Sequence, residues 1–222
     1  MQPYPAAAHI TPETTEFLLV SFEGPDQYSQ AGGLGVRVSQ LSESLAEQGF
    51  DTRLLFVGDP SLPAEETKLG GKLHLVRWGQ WISAQHPQGV YAGEDGKVND
   101  LNQSLPQYVY RTVMQPAIER GRLVAILGEE WQTAEALSNC SDFLYWFGIR
   151  NRAIMFWNAN NVFSFWKLNW GRLTYTTTLT TVSRYMKHYM WGWGLNPLVI
   201  PNGIHSRLIE PVDQASAQRL RS

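Results

Sequence analysis

The stretch "EFLLVSFEGPDQYSQAGGLGVRVSQLSESLAEQGFDTRLLFVG", residues 16–58, limits what this chain can fold into more than any other segment. Two short apolar runs flank a helix signal. "EFLLVSFE" (16–23) and "DTRLLFVG" (51–58) have strand length, and their unbroken apolar centres suit strands buried on both faces. Between them Leu34, Val38, Leu41 and Leu45 recur at intervals of four, three and four, one stripe of an amphipathic helix. Gly49 stands where a left-handed cap would end that helix. A strand, a helix and a strand in this order make a crossover unit whose strands run parallel.

The same alternation continues down the chain. Strands are expected over 72–78, 122–128, 153–160, 177–183 and 197–201, and helices over 104–121, 131–148 and 184–194. Pro106 and Pro116 blur the ends of the first of these helices. Residues 79–103, rich in Gly, Asp, Gln and Asn, read as a long irregular surface excursion of the kind that often carries function. The fold class that follows is α/β: a Rossmann-like parallel sheet with helices on both faces.

Composition excludes several functions. The 18 basic and 20 acidic residues give a net charge of −2, and the basic residues are scattered along the sequence, so no nucleic-acid partner is expected. Cys140 stands alone, which rules out an internal disulfide framework and a thiolate metal site and fits a reducing, cytoplasmic setting. The first residues form no signal peptide, and no apolar run reaches the ~20 residues of a membrane span, so membrane association is not expected. No zinc motif or nucleophile triad stands out, and no metal site is assigned.

In an open parallel sheet, ligands sit beyond the carboxyl ends of the strands, which selects four loops. In "GPDQYSQAGGLG" (24–35), Gly32 and Gly33 precede the helix and expose its free amides, a setting for an anion or a sugar, or simply glycines that let a turn form. A dinucleotide fingerprint fits worse: the third glycine is missing, the loop is long, and Asp59 lies 27 residues past Gly32 where ~20 is usual. In "GEEWQTAEAL", Glu129 and Glu130 fall where a strand ends and a helix begins, so they serve as helix caps or as acceptors for sugar hydroxyls. In "NANNVFSFWKLNW", Asn158, Asn160 and Asn161 stand before a run of aromatics, a mixture suited to carbohydrate, though the aromatics by themselves better fit a core helix with polar caps. The last loop holds Ser183, a natural helix cap, and "PLVIPNGI".

Taken in order, "GGLGVRVSQLSESLAEQGFDTRLLFV", "GEEWQTA" and "TTVSRYMKHYMWGWGLNPLVIPNGI" resemble the N-terminal domain of a family 4 type glycosyltransferase. That broad retaining group has the two-domain GT-B architecture and is similar to glycogen and starch synthases. The resemblance implies a polar lead over 1–15, a Rossmann-like acceptor-side domain over 16–203, and the start of an interdomain linker over 204–222. It implies Gly32, Gly33 and Leu34 at the donor phosphates and sugar, and Glu129, Glu130, Trp131, Gln132, Asn160 and Asn161 as acceptor or sugar contacts. Ser183, Arg184, Asn202 and Gly203 would face a partner domain. The expected partners are a nucleotide-sugar donor, which is a substrate with no further cofactor, a carbohydrate or other hydroxyl acceptor, and a C-terminal GT-B domain in cis or in trans.

The chain also departs from the family. Gln30 replaces the lysine that glycogen synthases carry before the Gly-Gly pair, and Glu129-Glu130-Trp131-Gln132 replaces their His-Asp-Trp-His, which weighs against a polyglucan product. The resemblance assigns the catalytic residues to the second domain, so residues 1–222 alone are expected to be inactive. Two further readings compete: a non-catalytic sugar-binding or interaction module that pairs with a separate catalytic half, and half of a nucleotide-sugar epimerase.

Overall fold

A computed structural model describes residues 10–204 and Ile209; the lead before residue 10 and most of the 204–222 linker lie outside this range. The opening unit forms as the sequence predicts. Strand β1 (Thr15–Val20), helix α1 (Gly33–Glu47) and strand β2 (Thr52–Val57) follow one another, and β1 and β2 pair in parallel with Leu19 beside Leu54. Helix α1 ends before Gly49, whose φ of 94° is the left-handed conformation that glycine adopts without penalty. The wholly buried positions of α1 are Gly35, Val38, Ser42 and Ala46, so the leucine stripe packs along the flank of the contact.

The chain then adds β3 (Glu65–Lys68), β4 (Leu73–Trp78), α2 (Gln80–Ser83), α3 (Glu94–Tyr108), a π-turn over Val109–Met114 and α4 (Gln115–Glu119). Next come β5 (Leu123–Glu129), α5 (Trp131–Trp146), β6 (Ala153–Ala159), α6 (Trp170–Thr176), β7 (Thr178–Thr181), α7 (Arg184–Trp191) and the two-residue β8 (Leu198–Val199). Among the described residues the sheet has eight strands, in the order β3-β4-β2-β1-β5-β6-β7-β8. Every pairing is parallel except that of β3 with β4.

Two expectations are corrected. The irregular excursion over 79–103 contains α2 and the first ten residues of α3, so the helix expected from 104 begins at Glu94 and runs through the π-turn to Glu119. Its early turns bury Lys97, Leu101 and Leu105 at intervals of four, a stripe whose first member is charged and therefore gave no apolar signal. The sheet is also not wholly parallel, because β3, with mostly exposed charged residues, adds an antiparallel edge.

One face of the sheet, with Leu18, Val20, Ile126, Met155 and Trp157, is covered by the long helical run and α5. The other face is covered by α1 only over β1, β2 and β4. Beyond α1 an apolar groove of about 530 Å³ runs past Leu127 and Phe156 to Ile200–Ile204.

Candidate functional site

Strand β1 lies between β2 and β5, so the chain leaves β1 toward one edge of the sheet and returns to build the other from β5. Connections from these two strands diverge, and the gap they leave at the carboxyl ends is the ligand position of a doubly wound sheet. A cavity of about 620 Å³ occupies it, lined by the loops after β1, β5 and β6 and by the start of α3. Of the residues singled out from the sequence, Gly33, Leu34, Glu130, Trp131, Gln132, Asn160, Asn161 and Asn202 line this cavity. Glu129 and Gly203 line the neighbouring apolar groove, and Gly33, Arg37 and Asn202 belong to both.

The glycine loop differs from a simple anion cradle. Glu23, at the exit of β1, turns its carboxylate onto the helix start: Oε2 accepts from the amides of Gly32 at 2.9 Å and Gly35 at 3.0 Å. An internal carboxylate thus takes two of the amides that a phosphate would use, the favoured placement for negative charge at a helix N-terminus. Gly32 is therefore engaged within the protein. The amides of Gly33 and Leu34 have no acceptor among the described residues, and a side chain built on Gly33 would meet nothing within 4 Å. The two glycines flanking Leu34 have separate jobs: a Cβ on Gly35 would lie 2.9 Å from the Gly24 carbonyl oxygen, so Gly35 is there for packing.

Tyr91 closes this corner, its hydroxyl donating to Glu23 Oε1 at 2.6 Å while its ring stacks on Phe22. Burial and the Glu23 carboxylate raise the Tyr91 hydroxyl far above its ordinary pKa, so it stays a donor. The segment carrying Tyr91 is held by Lys97, whose Nζ donates to Tyr28 Oη at 2.8 Å and to the Val90 carbonyl at 2.8 Å. The loop after β1 is tied down separately by a bidentate pair of Arg77 with Asp26, at 2.8 and 3.0 Å.

At the end of β5 two adjacent carboxylates are handled in opposite ways. Glu129 is fully buried and accepts from Arg37 Nη2 at 3.2 Å, Asn158 Nδ2 at 2.9 Å and Asn160 Nδ2 at 2.8 Å. Arg37 also donates to Asn202 Oδ1, which draws the segment after β8 back over the start of α1. Glu130 pairs with no cation among the described residues. Its Oε1 accepts from the backbone amides of Asn160 at 2.6 Å and Asn161 at 3.2 Å. Burial pushes its carboxyl up to about 7; the bonds from Asn160 and Asn161 oppose the rise and the Glu129 charge adds to it.

The Glu130 backbone is strained, with φ 65° and ψ 172°, a region almost confined to glycine. Its surroundings over-determine it. The amide donates to the Asn158 carbonyl at 3.0 Å, and its own carbonyl accepts from Trp157 Nε1 at 2.9 Å and Thr133 N at 3.1 Å. Such residues persist where packing holds them and cluster at working sites. Beside it Gln132 donates to Glu94 Oε1 at 2.9 Å, fixing the first turn of α3 against that of α5.

The remaining sequence candidates lie apart from the cavity. Ser183 caps α7, its hydroxyl accepting from the Met186 amide at 3.2 Å, and Arg184 is exposed on the first turn. Glu23, Arg37, Tyr91 and Glu94 were not singled out from the sequence. Glu23 and Arg37 sit on either side of the Gly-Gly pair, a signal that was available; the approach of Tyr91, 68 residues from its partner, had no local trace. Among the described residues no group of His, Cys, Asp or Glu is placed to hold a metal ion, and no helix is long and apolar enough to cross a membrane.

Sheet order and cavity define an α/β protein of Rossmann-like build with a polar hollow at its switch point. No family model matches the sequence, and no curated protein matches it. Among solved structures the fold is similar to the catalytic domain of starch synthase IV from Arabidopsis thaliana, bound to ADP and acarbose, with a TM-score of 0.54 and 15% identity. The match covers 90% of this chain and 54% of that one, so the chain spans about half the length of its neighbour. At this identity the likeness establishes the fold alone, a mostly parallel Rossmann-like sheet flanked by helices.

Proposed function

We propose that this chain is the N-terminal, acceptor-side part of a retaining glycosyltransferase of the GT-B, family 4 type. In this reading residues 16–203 form the domain and 204–222 begin the linker toward a donor domain supplied in cis or in trans. The observation that carries the proposal is the cavity at the β1/β5 switch point, where free helix amides, two buried carboxylates and side-chain amides converge. Gly33 and Leu34 are assigned to the donor phosphate or transferred sugar. Glu130, Trp131, Gln132, Asn160 and Asn161 are assigned to the hydroxyl-bearing acceptor or sugar, as groups that donate, accept and stack. Glu129 with Arg37 holds Asn158, Asn160 and Asn202 in place.

Catalysis would rest on positioning and on electrostatic stabilisation of the departing diphosphate. The neighbour's chain is nearly twice the length matched here, so turnover is assigned to the two-domain enzyme. Titration calorimetry of residues 1–222 with ADP, UDP and their glucose conjugates tests this. Weak binding of a nucleotide sugar, lost in Asn160→Ala and accompanied by no transfer or hydrolysis, is expected. Absence of binding to any nucleotide sugar sinks the donor assignment, and robust turnover sinks the two-domain assignment.

A further inference from the structure

Charge is divided unevenly along this chain. Residues 1–142 carry 9 Lys or Arg against 18 Asp or Glu, whereas residues 143–209 carry 7 Lys or Arg and no acid at all. The fold spends some of those cations internally: Arg150 donates to Ser141 and two carbonyls, Arg152 to the Arg122 carbonyl, and Arg172 pairs with Asp142. Lys167, Arg184 and Lys187 form no ion pair among the described residues.

These three cations stand among exposed aromatic rings. Helix α7 turns Met186 and Met190 inward and leaves Arg184, Tyr185, His188 and Trp191 on the outside, with Tyr185 77% and Trp191 52% exposed. The turn at Phe165–Lys167 adds Trp166, 77% exposed. Phe165 joins the two elements, its ring 6.3 Å from Tyr189 and 6.1 Å from Trp193. Lys167 lies over Trp131 at 4.2 Å and over Trp166 at 5.5 Å, and Lys187 over Trp191 at 5.9 Å, their amines resting on aromatic faces. Exposed aromatic rings gathered on neighbouring elements of a folded domain mark a contact site.

We propose that this α7 face, with the adjoining 163–167 turn, docks the protein on an anionic lipid surface. Tyr and Trp rings settle at the level of lipid headgroups, and Lys and Arg stems lie along apolar material while their charges reach the phosphates. An interfacial helix of this type needs no membrane-spanning length, and its attraction grows with anionic lipid content. Charge decides against a neutral glucan as occupant: sugars stack on tryptophan but give no reason for Lys167, Arg184 and Lys187 to stand without an ion pair in a stretch, 143–209, that contains no acid. The proposal departs from the expectation of no membrane partner, because the fold gathers cations that are scattered in the sequence. It does not depend on the glycosyltransferase reading.

Co-sedimentation of the full 222-residue chain with vesicles tests it. Binding to phosphatidylcholine vesicles containing phosphatidylglycerol, absent on phosphatidylcholine alone and weakened by salt, is expected. Arg184→Gln with Lys187→Gln removes two surface cations and lowers apparent affinity about thirtyfold. Tyr185→Ser, at an exposed position, lowers it independently while leaving the circular dichroism spectrum unchanged. Lys68→Gln, on β3 at the opposite sheet edge, leaves binding intact. Equal binding to neutral vesicles, no binding to anionic ones, or a double variant that binds like the parent overturns the proposal. So does retention on a neutral glucan gel, lost in Trp166→Ala, by a protein that ignores vesicles.

Discussion

The two sides of the β5 end hold adjacent glutamates in unlike ways. Toward α1, Glu129 meets a guanidinium and two side-chain amides, and its charge is neutralised inside the fold. Toward the cavity, Glu130 meets two backbone amides and, among the described residues, no cation, on a strained backbone that the surrounding bonds hold in place. One side is built to be satisfied without a ligand; the other keeps a carboxyl poised near neutrality at the wall of an open hollow. Neighbouring carboxylates with such unlike partners have separate work, one holding the fold together and one facing what enters the site.

The two glutamates differ most in what their removal costs the fold. Glu129→Ala leaves the Arg37 charge and two buried amides without their acceptor. Removing one partner of a buried pair costs about 3–5 kcal/mol. Glu130→Ala leaves two backbone amides beside a hollow that water can reach, a loss of about 1–3 kcal/mol. Urea unfolding midpoints of the two variants measure the difference. Equal losses would mean that Glu130 is as deeply built into the fold as Glu129, and the division of labour would fail.

The stability that depends on Glu130 also varies with pH. The Glu130 carboxyl is raised in the folded protein, from 4.5 to about 7, so folding favours its protonated form. Its contribution to stability is fully present below pH 4.5 and is lost as pH rises through 7. A shift of this size corresponds to about 3 kcal/mol. Glu130→Gln removes the titration while keeping a carbonyl acceptor for both amides. The variant is expected to be more stable than the parent at pH 8, with the gap closing toward pH 5. Denaturation across that range checks it; a gap independent of pH would show that Glu130 does not titrate there.

Legibility followed locality. The β1-α1-β2 unit was readable because its periods are written in consecutive residues, and the strand ends carrying Glu130, Asn160 and Asn161 were readable with it. The start of α3 was hidden because Lys97 occupies a core position, buried through bonds to Tyr28 and two carbonyls that no helical pattern announces. Strand β3 was hidden because "EETK" shows no apolar alternation. In the site, the glycine loop marked the place but not the occupant: that Glu23 would fold back onto Gly32 and Gly35 is a matter of three-dimensional reach. The pairing of Arg37 with Glu129, 92 residues apart, is equally invisible along the chain.

The smallest effect on stability falls on Gly33, which lines both the polar cavity and the apolar groove. No atom lies within 4 Å of a Cβ placed there, and its φ is not among the positive ones, so alanine fits without strain. Gly33→Ala should change stability by less than about 1 kcal/mol, with a gain if the stiffer unfolded chain dominates. The added methyl nevertheless projects toward the space beside the free Gly33 and Leu34 amides. If those amides serve a phosphate or sugar, calorimetry on Gly33→Ala shows weakened nucleotide-sugar binding at unchanged stability. Gly35→Ala supplies the converse, since its Cβ would press on the Gly24 carbonyl oxygen at 2.9 Å and the fold must give way. A Gly33→Ala protein that binds as the parent does would move the ligand away from the helix start and leave Glu130 alone to define the site.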